Sequence, residues 1–268
     1  MKAKKKWGQN FIFDKNLLSK IVRASGVGEE DFVLEVGTGH GGLTEELAKK
    51  VKKVVSFEID KELFEMSREK LKIYKNVVII NEDILEVDLL EIAQEHFDGN
   101  SFKVVANLPY YITSPIIMKM LDCKLVKEMT VLVQKEVAER ICALPGTKDY
   151  GMLTVFVNFK AKPEILFNLP PKVFVPPPKV ESSLLKLKVY DKPLVEVKDE
   201  KLFSEVVRAA FGQRRKVLSN SLKVLGFSKE VLHETLLKVG ISPQARGETL
   251  SIDQFANLAN ALYLLIKE

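Results

Sequence analysis

The stretch FVLEVGTGHGGLTEEL, residues 32–47, decides the fold. Phe32–Val36 is a short apolar run that reads as a buried strand. The loop Gly37-Thr38-Gly39-His40-Gly41-Gly42 follows, and Leu43–Leu47 begins a helix. Strand, glycine loop and helix start, in that order, open a nucleotide-binding α/β sheet. The glycines let backbone approach a ligand closely, and the free N–H groups of the helix start face it. The spacing reads two ways. Gly37, Gly39 and Gly42 fit the G-x-G-x-x-G of dinucleotide enzymes, whereas Gly37, Gly39 and Gly41 fit the G-x-G-x-G loop common in methyltransferases.

The strands that follow narrow the ligand. Val54–Phe57 ends at Glu58, 21 residues after Gly37. A carboxylate there can take both hydroxyls of a ribose, in NAD or in S-adenosylmethionine. Val77–Ile80 leads to Asp83 and Ile84. Asp83 at a strand end can accept from an adenine amino group while Ile84 packs on the ring, a placement that suits an adenosyl ligand.

Phe102–Ala106 leads to Asn107-Leu108-Pro109-Tyr110, at a strand's carboxyl end where open α/β sheets bind ligands. This tetrapeptide suits alkylation of an exocyclic amine on a flat heteroaromatic ring. Such an amine is a poor nucleophile because its lone pair is delocalised. The Asn107 side-chain carbonyl and the Leu108 backbone carbonyl can each accept one N–H bond and draw the nitrogen towards a tetrahedral geometry. Pro109 fixes φ and offers no competing donor. Tyr110 offers a ring face for stacking a base, worth roughly 1–3 kcal/mol. A plain strand-to-loop turn is the competing reading of these four residues.

Around this core, Asp14 caps a helix to about Ser25. A helix at Lys61–Leu71 follows Asp60. Thr113-Ser114-Pro115 opens another, Met129–Val133 reads as a strand and Lys135–Leu144 as a helix. Leu153–Phe159 and Leu184–Val189 read as a late antiparallel hairpin. Between them Pro176-Pro177-Pro178 stiffens an arm that carries Phe174. Phe174 reads either as a second wall against a flipped base or as a core ring. A linker near Tyr190–Asp199 precedes helical segments at Leu202–Phe211 continuing through Arg214–Leu225, Ser228–Val239 and Ile252–Leu265.

Composition bounds the class. The 268 residues fit one large domain or one domain with a small second one. No apolar run reaches membrane-span length. The basic start lacks the apolar core of a secretion signal, and two isolated cysteines suit a reducing compartment, so a cytoplasmic location is expected. His40, His96 and His233 have no metal-ligand spacing, and no metal is expected. Net charge is +5. Residues 206–229 hold Arg208, Arg214, Arg215, Lys216, Lys223 and Lys229 without an acid, a stretch able to contact phosphates. A solvated helix face accounts for it equally well.

The residues quoted so far carry a resemblance. The chain resembles the KsgA family of ribosomal RNA adenine N6-dimethyltransferases in GQNFIFD (8–14), LEVGTGHGGLTEEL (34–47), FEID (57–60), NEDIL (81–85), NLPYYITSPI (107–116), VFVPPPKVESS (173–183), AFGQRRKVL (210–218) and ARGETLSIDQF (245–255). The motifs run in family order over nearly the whole chain. The resemblance implies a Rossmann-like class I methyltransferase domain with a mostly parallel seven-stranded sheet, over 1–192. It also implies a small all-α domain for RNA and ribosome recognition, over 193–268. The cofactor is then S-adenosyl-L-methionine, and S-adenosyl-L-homocysteine the product. The substrate is the 3′-terminal hairpin of small-subunit rRNA, met in the immature subunit, where two adjacent adenines each receive two methyls. Asn10, Ile12, Gly37, Glu58, Asp83 and Asn107 are expected to bind cofactor. Asn107, Leu108, Pro109 and Tyr110 are expected to hold the amine, with Phe174 across the base. Arg208, Arg214, Arg215 and Lys216 are expected on RNA, and the protein is expected to be a monomer. Three other readings remain: an Erm-type enzyme acting on large-subunit RNA, a non-catalytic ribosome-assembly factor, and a dehydrogenase.

Overall fold

The computed structural model describes residues 9–213 and 216–267. They form two compact units. One runs to Ala138 and resumes over Lys162–Val189; the other takes Glu139–Ala161 and the chain from Tyr190. In chain order the elements are β1 (Phe11–Ile12), α1 (Lys15–Ser25), β2 (Phe32–Val36), α2 (Gly42–Ala48), β3 (Lys53–Phe57), α3 (Lys61–Leu71) and β4 (Val77–Ile80). Next come α4 (Leu89–His96), β5 (Phe102–Asn107), α5 (Thr113–Asp122), β6 (Val126–Gln134), α6 (Lys135–Ile141) and α7 (Met152–Lys160). Then follow β7 (Ala161–Leu169), β8 (Phe174–Val175) and β9 (Ser182–Val189). The rest is helical: α8 (Glu200–Gly212), α9 (Leu218–Ser221), α10 (Lys229–Lys238) and α11 (Ile252–Lys267).

Among the described residues the main sheet has seven strands in the order β4-β3-β2-β5-β6-β9-β7. The pairs β4–β3, β3–β2, β2–β5 and β5–β6 are parallel, and β6–β9 is antiparallel. A second sheet of two strands pairs β1 with β8. One face of the main sheet, with Val33, Val54, Val105 and Leu132, packs on Leu18, Ile21 and Val22 of α1 and on Leu43 and Leu47 of α2. On the other face Phe97, after α4, lies between Phe32 and Phe102, with ring centroids 5.3 and 5.2 Å away. Helices on both faces explain why β2 reads as a continuous buried run rather than an alternating one.

Local chemistry sets the entry to α1. The Asp14 carboxylate accepts from the backbone N–H of Asn16 and Leu17 at 2.8 and 3.2 Å, a cap worth about 1 kcal/mol. The helix ends at Gly26, whose φ of 70° is the left-handed C-cap that glycine adopts without strain.

Two expectations are corrected. Leu153–Phe159 is not a strand: it lies inside α7, and β9 pairs instead with β6 and β7. A short apolar run buried on most sides has no periodicity to separate strand from helix. Nor does the helix of Leu202–Phe211 continue to Leu225. It ends at Gly212, Gln213 turns away with φ −134° and ψ 70°, and Val217 is extended before the four-residue α9. Arg214 and Arg215 lie outside the described residues.

The helical unit includes α7, so it does not follow a linear boundary at residue 192. Its packing explains this. Phe159 stacks on Phe203 of α8 at 4.6 Å, and the Arg208 guanidinium lies 5.5 Å from the Phe156 ring centre. The buried Tyr150 hydroxyl donates to the Leu250 carbonyl at 2.8 Å.

Candidate active site

The carboxyl ends of β2, β3, β4 and β5 border one cleft of about 740 Å³, counting its open mouth. Gly37, Gly39, Glu58, Asp83, Ile84, Asn107, Leu108, Pro109 and Tyr110 line it, together with Asn10 from the N-terminal loop. Residues from five separate sequence stretches thus meet where the topology of an open α/β sheet places a ligand.

The glycine loop is held by the sheet. Gly37 N–H donates to the Phe57 carbonyl at 2.8 Å. Gly37 has φ 82°, Gly39 55° and Gly41 71°, left-handed values that other residues adopt only at a cost. A Cβ on Gly39 would stand 3.1 Å from the Phe11 ring.

Glu58 is only 5% exposed. One of its carboxylate oxygens accepts from Gly39 N–H at 2.8 Å and the other from Asp60 N–H at 2.9 Å. These bonds fix the carboxylate plane. Burial raises its pKa, against the lowering by those backbone N–H groups. Across the cleft Asp83 is oriented by Leu85 N–H, which donates to its carboxylate at 2.9 Å. A cleft with two anchored carboxylates and a glycine wall offers acceptors of the kind that ribose hydroxyls and an adenine amine require.

Asn107 ends β5. Its side-chain Nδ2 donates to the Asn10 carbonyl at 2.8 Å. That bond commits the amide hydrogen side to the N-terminal loop and leaves the Oδ1 as an acceptor. Leu108 N–H donates to the Leu132 carbonyl at 3.1 Å, which fixes the peptide beside it. Tyr110 is half-buried in a 3₁₀ turn, Tyr110–Ile112, and its hydroxyl bonds to that of Ser182.

Two expected residues stand elsewhere. Phe174 is 1% exposed, paired with Ile12 across β8–β1, and sits in the hydrophobic core with Leu18 and Ile21. It does not line the cleft, because the antiparallel pairing turns it inward. Ile12 is buried in the same core and does not line the cleft itself, but it borders an adjoining cavity with Gly37, Gly39 and Asn107. Of the expected RNA residues, Arg208 and Lys216 are exposed in the helical unit.

Four residues were not anticipated. Tyr111, Phe11 and Ile59 line the cleft. Glu35 is fully buried in β2, and Thr44 and Ser56 hydroxyls donate to its Oε2 at 2.6 and 2.7 Å. Ser56 also bonds the Thr38 hydroxyl of the glycine loop at 2.6 Å. A lone acid inside the apolar FVLEV run was the available signal.

The model of the family described as ribosomal RNA adenine dimethylase matches residues 1–263. Proteins named ribosomal RNA small subunit methyltransferase A, from Bacillus mycoides (strain KBAB4) and Bacillus cereus (strain B4264), are each 49% identical over 97% of this chain and 91% of theirs. A solved dimethyladenosine transferase from Plasmodium falciparum superposes with a TM-score of 0.80 at 25% identity, over 96% of this chain and 98% of that one. The 23S rRNA methyltransferase ErmE superposes with a TM-score of 0.71 at 27% identity, over 95% of this chain and 100% of that one. On the family model over residues 1–263 and relatives 49% identical over nearly its whole length, the chain belongs to the ribosomal RNA adenine dimethylase family.

Proposed function

We propose that this chain dimethylates N6 of two adjacent adenines in the 3′-terminal hairpin of small-subunit ribosomal RNA. It meets that RNA in the immature subunit, as a monomer in the cytoplasm. S-Adenosylmethionine supplies a methyl already activated on a sulfonium, so N6 gains the methyl carbon, sulfur keeps the bonding pair and the N6 proton leaves to water. The observation that carries the reading is the Asn107 side chain, pinned by the Asn10 carbonyl so that its Oδ1 remains an acceptor at the cleft.

The residues act by position. Glu58 and Asp83 hold the adenosine of the cofactor. Asn107 Oδ1 and the Leu108 carbonyl accept the two N–H groups of the target amine. Asn107 is not a base, since an amide takes no proton at neutral pH; it orients and polarises. Pro109 sets the turn, and Tyr110, fixed through Ser182, stacks on the base. Flipping an adenine out costs a few kcal/mol, which stacking and hydrogen bonds offset. Proximity to an activated methyl carries much of the rate. Arg208 and Lys216 contact RNA phosphates.

The likeness to ErmE favours a second reading, methylation of one adenine in large-subunit RNA. The test is labelled methyl transfer to unmodified small and large subunits in parallel, followed by nucleoside digestion. Dimethyladenosine at two neighbouring small-subunit positions is the expected result. Label in large subunits moves the protein to the second reading, and label in neither overturns both.

A further inference from the structure

We infer that Tyr111 is a positioning residue that closes over the adenosine end of the cleft, and that it serves the cofactor rather than the target base. The inference deepens the methyltransferase reading and rests on it. Tyr110 and Tyr111 are neighbours in one 3₁₀ turn, and both line the cleft. Their surroundings differ. Tyr110 is anchored through its hydroxyl to Ser182, on β9. Tyr111 is 52% exposed, and among the described residues its hydroxyl makes no hydrogen bond. A large ring that lines a cleft and is still half in solvent stands at the mouth.

The sheet order says which end of the cleft it guards: the Tyr110 hydroxyl is tied to β9, on the opposite side of β5 from β3 and β4, whose ends lead to Glu58 and Asp83, and Tyr111 lines the cleft without that tie. Partial burial raises the pKa of the Tyr111 phenol, and the carboxylates of Asp83 and Glu58 raise it further. Those are the two acids that hold adenine and ribose in the reading above. Ile84, buried, and Ile59, 37% exposed, line the same cleft next to Asp83 and Glu58 in sequence and provide apolar surface for one face of a flat ring. Tyr111 is then placed to cover another side, and its exposed ring loses solvent contact when the nucleoside is bound. Tyr110 retains the base-stacking role because its position is fixed before either ligand arrives.

The experiment compares wild type with Tyr111→Ala and Tyr111→Phe. It measures S-adenosylhomocysteine binding by calorimetry, and methyl transfer to unmodified small subunits as cofactor and RNA are varied separately. For Tyr111→Ala the expected result is a cofactor Kd and KM raised about tenfold, within the range for loss of a stacked ring. At saturating cofactor its kcat stays within about twofold of wild type, as for loss of uniform binding. Tyr111→Phe keeps wild-type cofactor affinity. Unchanged cofactor affinity in Tyr111→Ala, or a loss confined to kcat and to RNA KM, overturns the assignment. An equal loss in both variants also overturns it, since the hydroxyl and not the ring would then matter. A wild-type chain that binds no S-adenosylhomocysteine overturns instead the reading beneath it.

Discussion

Asn107 and Glu35 illustrate two uses of a polar side chain at the end of a strand and within one. Asn107 donates from Nδ2 to the Asn10 carbonyl, and its Oδ1 is the acceptor proposed for the target amine. Removing it takes away both the acceptor and the tie to the N-terminal loop. Asn107→Ala is therefore expected to lower turnover by about 100-fold or more, as when a preorganised polar group leaves a reacting centre. RNA affinity stays within about twofold, since one amine contact is a small part of an interface held mainly through phosphates. Single-turnover methyl transfer and RNA titration check the pair of outcomes, and a large loss of RNA binding defeats the positioning role. Glu35 is different. Burial raises its pKa to about 8, against hydroxyl bonds from Thr44 and Ser56 that lower it, and the Glu58 charge raises it further. Among the described residues its Oε1 has no hydrogen-bond partner. The native state thus holds a proton that the unfolded chain releases above its ordinary value of 4.5. With more protons bound folded than unfolded, stability falls as pH rises between those two values and levels off above about 8. Glu35→Gln cannot ionise. Urea midpoints across this window are expected to fall for wild type relative to the variant, with the difference largest at the alkaline end. Parallel profiles would show that Glu35 is ionised throughout.

At the scale of elements, legibility followed burial geometry. Elements at a chemical boundary were plain in the sequence: α1 behind Asp14, α3 behind Asp60, and β5 before Asn107 all start or stop at a residue with its own reason to be there. The cleft was legible for the same reason, since Gly37 and Glu58 stand just past a strand, Asp83 soon after one, and Asn107 at the end of one. What failed was apolar and contextual. Leu153–Phe159 is buried on several sides in α7, so neither a period of two nor of 3.6 shows. Phe174 offered two fates, and only its pairing with Ile12 across β1 and β8 settles which way the ring turns. Gly247 is a motif residue whose reason appears only in three dimensions. It opens a 3₁₀ turn against α8, and a Cβ there would stand 2.8 Å from the Ala210 carbonyl oxygen. That neighbour is backbone and cannot rotate away. Gly247→Ala is expected to destabilise the helical unit by about 1–3 kcal/mol, the usual cost of overpacking. Chemical denaturation followed by far-UV circular dichroism measures it, and an unchanged midpoint would mean that α8 moves aside freely.

For the whole molecule, chemistry and charge are divided. The residues assigned to the cofactor and the target amine lie in the unit built on the sheet, whereas Arg208 and Lys216 belong to the helical unit. A net charge of +5 on 268 residues is too small to bind RNA by overall attraction. The acid-free run 206–229 concentrates positive charge instead, and Arg208 and Lys216 in it are exposed. Arg208 also lies over the Phe156 ring, which orients the guanidinium and gives it a packing role as well as a charge. The two residues therefore call for different controls. Each phosphate contact releases counterions, so binding weakens with salt in proportion to the number of contacts. Lys216→Ala is expected to reduce the slope of log affinity against log salt by about one contact's worth, roughly 0.7–0.9. Arg208→Lys retains charge while loosening the ring contact, and should leave the slope near wild type; Arg208→Ala should reduce it as Lys216→Ala does. Filter binding of small-subunit RNA over a salt series reads all three. A slope unchanged in both alanine variants would return this stretch to a solvated helix face, and the RNA would then have to be held by other residues.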